Sequence, residues 1–549
     1  MLTGCYGRED FSDFDDFARN FRIEAPADFN FAFDCIDTLA RLSPDKTAMV
    51  WCNDGGDEAR YSFAQISAYS DAAARFFAAS GIGRGDAVML VLRRRAQFWF
   101  ALLGLMKLGA VAIPSTHYLL AEDIVYRNKA ASVAAIVTTD DATLLAAVEQ
   151  ALPASPTVRL RVSLGGERDG WLSFDEGLAR FAQGAPLPRV TRSEDMLLLY
   201  FTSGTTGLPK MVAHNHRYPL GHIATARYWH ALHADSLHFT LADTGWAKAA
   251  WGKIFGQWLC GAAIFVYDQD YLDPHRLLRA LCRHKVTSFC APPTVYRVLL
   301  TANPAAYDLS ALERVTSAGE PLTGDIFNRF KEQTGLSIRE AYGQTETVPL
   351  TMTSIYTAPR AGSIGKINPL YDVLLLDADG NEVPDGAEGE ICVRAQRGSI
   401  GLFTGYYRDA EATNRAWRDG MYHTGDMARR DADGYVYFIG RADDIIKSAG
   451  YRIGPYEVES VLARHPAVLE CAVTGVPHPL RGQVVKASVV TAPSCEPSEA
   501  LKRELRAFMK ENAAAYKIPR VIEFVDALPK TISGKVRRTA VRDADKTKG

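Results

Sequence analysis

Several absences narrow the function of this 549-residue chain before any motif is considered. Lysine and arginine number 62 against 64 aspartate and glutamate, a net charge of −2. No global basic field therefore argues for nucleic acid or an anionic membrane surface. The nine cysteines are scattered, odd in number and never spaced C-x-x-C. A reduced compartment and mostly buried thiols fit them, and neither a disulfide framework nor a zinc site is indicated. The longest apolar stretch, FWFALLGLMKLGAVAIP from Phe98, is interrupted by Lys107 and stopped by Pro114, short of the ~20 residues a membrane span needs. A buried helix followed by a strand is expected there instead. The opening MLTGCYGREDFSDFDDFARN is acidic and has neither an apolar h-region nor an Arg/Ser-rich character. Neither a signal nor a transit peptide is expected, and a cytoplasmic location follows. Internal repeats and low-complexity segments are also missing.

What is present is a globular composition, 47% hydrophobic and 23% charged, at a length that implies several structural units. Between about residues 195 and 346, short apolar runs alternate with helical patterns. MLLLYFT (196–202) and AAIFVYD (262–268) read as buried strands. DPHRLLRALCRHK, from Asp273, reads as a helix capped by aspartate with proline in its first turn. This alternation predicts an α/β protein built on a largely parallel, helix-covered sheet, with ligand loops at the carboxyl ends of strands. After residue 361 the pattern changes. Residues 371–395 read as paired strands around an Asp-Gly turn, and from Arg441 a compact α+β unit begins. The expected division is 1–440 and 441–549, at GRADDIIKSAG (440–450).

The most chemical stretch is YFTSGTTGLPKMVAHNH (200–216). A strand, a loop of glycines and hydroxyls, a lysine and then a helix are expected. Glycines let backbone N–H groups approach an anion, Thr202, Ser203, Thr205 and Thr206 donate hydrogen bonds, and Lys210 adds charge. It is not a Walker A loop: Gly204 and Gly207 are three apart and Met211 stands where the magnesium-binding hydroxyl would be. A bare Gly/Ser/Thr run is as often a surface loop, but TSGTTGLPK as a whole resembles the phosphate loop of the adenylate-forming superfamily. Further resemblances follow in family order: REAYGQTET (339–347), YHTGDMARRDADGYVYFIGRADDIIKSAGYRIGPYEVE (422–459) and LPKTISGKVRR (528–538). SAGYRIGP, DTGW and GLPKMVAH are similar to the medium-chain acyl-CoA synthetase branch.

The resemblance implies a large AMP-binding domain with a β-subdomain, a small mobile C-terminal domain, and AMP-forming ligation of a carboxylic acid to coenzyme A through an acyl-AMP. ATP, Mg2+ and coenzyme A are the implied cofactor set, with no nucleic acid and no membrane span; homo-oligomerisation is left open. Thr202 to Lys210 would clamp phosphates and Glu346 would hold magnesium, with Thr345 on the alpha phosphate. Gly319, Glu320, Pro321 and Tyr342 would surround the adenine, Gly343 and Gln344 would be further ATP/AMP contacts, and Asp426 and Arg441 would hold the ribose, with Arg452 a second nucleotide contact. Lys535 would bridge carboxylate and alpha phosphate during adenylation. Rotation at the hinge position, Asp443, would then bring the face from Lys447 to Tyr451, including Ser448, Ala449 and Gly450, to the thioester-forming site. Arg481, Lys517 and Arg520 are candidates for the CoA phosphates. Trp246, Trp251, Gly319 and Gly365 would lie near the acyl tunnel. Val348 replaces a glycine that many relatives carry, which favours a short, branched or aromatic acid. The alternatives are a stand-alone adenylation enzyme that loads a carrier protein, a luciferase-type oxygenase, and a nucleotide sensor with a dead site. The last would be expected to have lost Lys535, Asp426 or Glu346, and all three are present.

Overall fold

The computed structural model describes residues 5, 7–166, 168–202, 209–449, 451–531 and 536–547. Contacts divide the chain into two compact units. The first comprises residues 1–202, 210–372 and 395–421, and the second 203–209, 373–394 and 422–549.

The first unit is built on two sheets. In one, the strands Arg339–Tyr342, Arg314–Ser317, Ser288–Cys290, Leu237–Thr240, Ala263–Asp268 and Thr47–Asn53 lie side by side and pair in parallel. In the other, Leu160–Ser163, Val133–Thr138, Ala87–Val91 and Val111–Pro114 are parallel, and Met196–Thr202 continues the order. Central strands such as Ala87–Val91 and Val133–Thr138 are buried at every position, as strands covered by helices on both faces must be. The expected α/β class with largely parallel sheets is what the structure has.

The apolar run from Phe98 forms the helix Gln97–Leu108, ending at Gly109 in the left-handed region, and then the strand Val111–Pro114. Lys107, which breaks the run in sequence, is buried in the fold. Its ammonium lies 2.8 Å from Asp37 and 2.6 Å from Asp71. A buried lysine is tolerated because both carboxylates compensate its lost hydration. Gly104 allows this helix to approach Phe63–Ala79: a Cβ there would stand 2.7 Å from that of Ala73.

One local expectation is corrected. The segment after the glycine-rich loop is a strand, Lys210–Asn215, rather than a helix. It runs antiparallel to Met196–Thr202, with Thr202 opposite Lys210, and its other edge pairs with Gly405–Tyr406. Five of its six residues are buried, so pairing on both edges satisfies backbone groups that no water reaches.

The second unit contains the adjacent strand residues 373–376, Glu388–Arg394 and residues 422–430, with Val436–Arg441 paired to the last. Its remaining part is α+β. The long hairpin Val468–His478 and Gly482–Thr491 is joined in parallel by Val521–Phe524. The helices Pro455–Leu462 and Glu499–Asn512 bury Val458, Leu462, Leu501, Leu505 and Met509 in its core. Among the described residues, no helix is long and apolar enough to cross a membrane.

Candidate active site

In the first unit, the carboxyl end of Met196–Thr202 and the start of Lys210–Asn215 place Thr202 and Lys210 opposite one another, both half-buried. The Lys210 ammonium lies 4.8 Å from the centre of the Tyr406 ring, a cation–π contact. Tyr406 in turn donates its hydroxyl hydrogen bond to Glu346 Oε1 at 2.9 Å. A lysine, a tyrosine and a carboxylate from three distant segments are thereby linked beside Thr202. The Glu346 carboxylate is a hard oxygen donor that is not fully enclosed. That suits Mg2+, which takes one or two protein carboxylates and completes its shell with phosphate and water.

The segment carrying Glu346 is held at several points. The Thr345 carbonyl meets His214 Nε2 at 2.8 Å. The Glu346 carbonyl accepts from Phe403 N–H at 2.9 Å, and Val348 N–H donates to the Gly401 carbonyl at 2.9 Å. Gln344 N–H donates to Thr347 Oγ1. Burial drives the His214 pKa down to about 3, so its imidazole is neutral and acts here as a fixed hydrogen-bonding group. Gly343 has no room for a side chain: a Cβ would lie 2.7 Å from Trp251 and 2.8 Å from the Val348 carbonyl.

Gly319, with φ +97°, turns the chain after Arg314–Ser317, and Lys248 donates to the preceding Ala318 carbonyl. Glu320 accepts from Thr294 Oγ1 at 2.7 Å, and Pro321 leads to Leu322, whose N–H donates to Glu340 Oε1 at 3.0 Å. Glu340 thus ties the Gly319–Pro321 turn to the strand that ends at Tyr342. Desolvation pushes the Glu340 pKa up to about 8.

Of the expected acyl-pocket residues, Trp251 is buried in a π-helical turn, Ala250–Ile254, and Trp246 is half-buried. Val348 is fully buried. Its methyl carbons stand 3.0 to 3.2 Å from where Cβ atoms of Gly221 and Gly401 would be, so two glycines make its slot. Gly365 has φ +87°, and a Cβ there would fall 2.1 Å from the Met352 carbonyl carbon. Close backbone approach accounts for that glycine.

In the second unit, Asp426 and Arg441 are register partners on paired strands. Arg441 Nη1 lies 3.5 Å from the buried Asp426 Oδ1 and Nε lies 3.3 Å from Asp443 Oδ1. The Asp443 carbonyl accepts from Arg542 at 3.0 Å. Lys447, Ala449 and Tyr451 are exposed and Ser448 is buried. Tyr451 stacks on Tyr516 with ring centres 4.3 Å apart. Arg481 and Arg520 are exposed, whereas Lys517 is ion-paired to Glu457 at 3.0 Å. Ser203, Gly204, Thr205, Thr206, Gly207, Gly450 and Lys535 lie outside the described residues, as does the Arg452 side chain.

His214, Lys248, Glu340 and Tyr406 were missed in the sequence as site residues. Their partners lie roughly 18 to 196 positions away in the chain, and no local spacing signals such contacts.

A two-sheet α/β unit with an acidic and cationic cluster at strand ends, followed by a β module and a small α+β part, is the architecture of an adenylate-forming enzyme. Comparison with known proteins agrees. Residues 36–407 match the AMP-binding enzyme family and 457–535 the AMP-binding enzyme C-terminal domain. Human acyl-coenzyme A synthetase ACSM5, mitochondrial, is 41% identical over 531 residues, covering 95% of this chain and 91% of that protein. ACSM3 of Pongo abelii, also named mitochondrial, is 37% identical over 97% of this chain and 92% of its own length. Among solved structures, the anthranilate CoA ligase AuaEII in complex with anthranoyl-AMP has a TM-score of 0.87 at 30% identity, covering 95% of this chain and 98% of that one. A benzoate CoA ligase from Burkholderia xenovorans LB400 has a TM-score of 0.81 at 26% identity, with 94% and 100% coverage. The chain belongs to the AMP-binding enzyme family. It is an acyl-CoA synthetase, an ATP-dependent, AMP-forming acid–thiol ligase that uses coenzyme A. The expected cytoplasmic location is corrected: the acidic start of the chain argued against a transit peptide, yet these relatives are named as mitochondrial enzymes.

Proposed function

We propose that the enzyme activates a short- to medium-chain, branched or aromatic acid, with Mg2+ held at Glu346. The observation that carries this reading is the chain of contacts from Lys210 through Tyr406 to Glu346 beside Thr202. Cation and carboxylate are held ready, before substrate arrives, for a metal–polyphosphate that needs both. Such preorganised charge is the main requirement when an anionic carboxylate attacks the alpha phosphorus. Bound there, Mg2+ would offset charge on the phosphates. Thr202, Ser203, Gly204, Thr205, Thr206, Gly207 and Lys210 would hold the phosphate tail. Gly319, Glu320, Pro321 and Tyr342 would take the adenine, Gly343 and Gln344 would add ATP contacts, Asp426 and Arg441 would take the ribose, and Arg452 would be a second nucleotide contact.

Lys535 would act in adenylation only, and Asp443 would be the hinge between the domains expected at 1–440 and 441–549. Lys447, Ser448, Ala449, Gly450, Tyr451 and Arg481 would serve the thioester step. Lys517 could take a CoA phosphate only by leaving Glu457. The full burial of Val348 in its glycine slot supports a shortened acyl pocket beside Trp246 and Trp251, and two neighbouring structures are ligases of aromatic acids by name.

The test is the two half reactions of Lys535→Ala. Acyl-AMP formation from acid and ATP should be abolished, while supplied acyl-AMP plus CoA should still give thioester. Equal loss of both would overturn the assignment.

A further inference from the structure

Glu390, Cys392 and His423 lie outside the catalytic assignments above and come together on one face of the second unit's sheet. Glu390 and Cys392 are two apart on the strand Glu388–Arg394, so both point to the same side. His423 lies on the neighbouring strand. Cys392 Sγ is 3.3 Å from His423 Nδ1, and Glu390 Oε2 is 3.1 Å from the same nitrogen. All three donor atoms fall within 4.8 Å of one another. Cys392 is fully buried, and the side chains of His423 and Glu390 are only 8% and 19% exposed.

These separations can be compared with a metal's needs. Zinc bound to thiolate sulfur at about 2.3 Å and to nitrogen or oxygen at about 2.0 to 2.2 Å, in a tetrahedron, has donor–donor edges of roughly 3.3 to 3.6 Å. The two edges to His423 Nδ1, 3.3 and 3.1 Å, are within a few tenths of an ångström of that, and the third, between Glu390 and Cys392, is no longer than 4.8 Å. Thiolate, imidazole and carboxylate together suit a borderline-soft divalent ion better than magnesium or calcium. The second oxygen of Glu390 is already oriented, because Oε1 accepts from Gly425 N–H at 2.9 Å. That is the outer support that ligating carboxylates commonly have.

We propose that Glu390, Cys392 and His423 bind one zinc-class divalent cation, with water as the fourth ligand. None of the three donors is a residue proposed above to hold magnesium. Through Gly425, which has φ +71° within its strand, the site fastens the segment 424–426 that carries Asp426. Sequence spacing gave no sign of it, because the donors come from two strands and only one is a cysteine.

Full-length enzyme stripped with a chelator is titrated with Zn2+ and, separately, Co2+. One equivalent should bind per chain. The cobalt form should show the intense near-ultraviolet charge-transfer absorption of a cobalt–thiolate bond, and zinc should raise the unfolding temperature of the wild type. Losing an outer-sphere partner costs a metal site about 10- to 100-fold in affinity, so Cys392→Ala and His423→Gln should each weaken binding by more than about 100-fold. Both should abolish the thermal shift, and Cys392→Ala should also abolish the cobalt–thiolate band. Absence of that band in the wild type overturns the proposal. So does binding that survives both substitutions, since the ion would then sit on other residues. Should a variant fail to fold, Glu390→Gln together with the wild-type spectrum decides: zinc affinity unchanged by Glu390→Gln contradicts the site.

Discussion

At the scale of single residues, the site rests on contacts that sequence spacing cannot show. Tyr406 is the clearest case, since its ring faces Lys210 and its hydroxyl holds Glu346. Tyr406→Phe keeps the ring and removes the hydrogen bond, which is worth about 0.5 to 1.5 kcal/mol. The Mg2+ concentration for half-maximal rate should rise roughly 2- to 10-fold, with the acid preference unchanged; an unaltered Mg2+ dependence would separate Glu346 from the metal. Glu340 gives a pH test. Its pKa is raised from an ordinary 4.5 to about 8 by burial, so across that window the folded state holds a proton that the unfolded state has lost. Stability from this group is therefore full below pH 4.5 and falls as pH rises toward 8, at up to about 1.4 kcal/mol per unit. Denaturant unfolding at pH 6 and pH 8 should show Glu340→Gln losing less stability than wild type over that interval. Parallel losses would mean that the carboxyl is not desolvated.

Elements were legible where the pattern was local and misread where pairing was distant. The strand Met196–Thr202 and the helix capped by Asp273 follow from runs and caps visible in sequence. The strand Lys210–Asn215 does not. A glycine-rich loop that suits phosphate also suits a helix start, and it is pairing on both edges, with Met196–Thr202 and with the distant Gly405–Tyr406, that makes the segment a strand. The site divides the same way: the motifs around Thr202, Glu346 and Asp426 stood out as motifs, whereas Tyr406, His214 and Glu340 emerge only through tertiary contact. Gly365, expected near the acyl group, also has a backbone reason to be glycine. With a positive φ and a Cβ position 2.1 Å from backbone, Gly365→Ala should lower the unfolding temperature and reduce activity toward every acid alike. A shift in chain-length preference at normal stability would instead return Gly365 to the pocket. Val348 makes the opposite expectation. Val348→Gly should move the preferred acid upward by roughly two or three methylenes, each worth about 0.8 kcal/mol on burial, while ATP dependence stays normal.

For the whole molecule, adenylation and thioester formation belong to one chain, and the proposed hinge at Asp443 would govern the step between them. Proline fixes φ near roughly −65°, so Asp443→Pro should impair thioester formation from supplied acyl-AMP more than it impairs adenylation. Equal rates to wild type in both would refute a hinge there. The central claim is that this chain releases AMP in step with a CoA thioester of a compact acid. The most direct measurement is a panel of short, branched, aromatic and long-chain acids with ATP, Mg2+ and CoA, following AMP and acyl-CoA together. Equimolar AMP and thioester are expected for members of the first three groups, with little turnover of the long chains. Acyl-AMP that accumulates without passing to CoA, yet is transferred to a carrier-protein thiol, would contradict it.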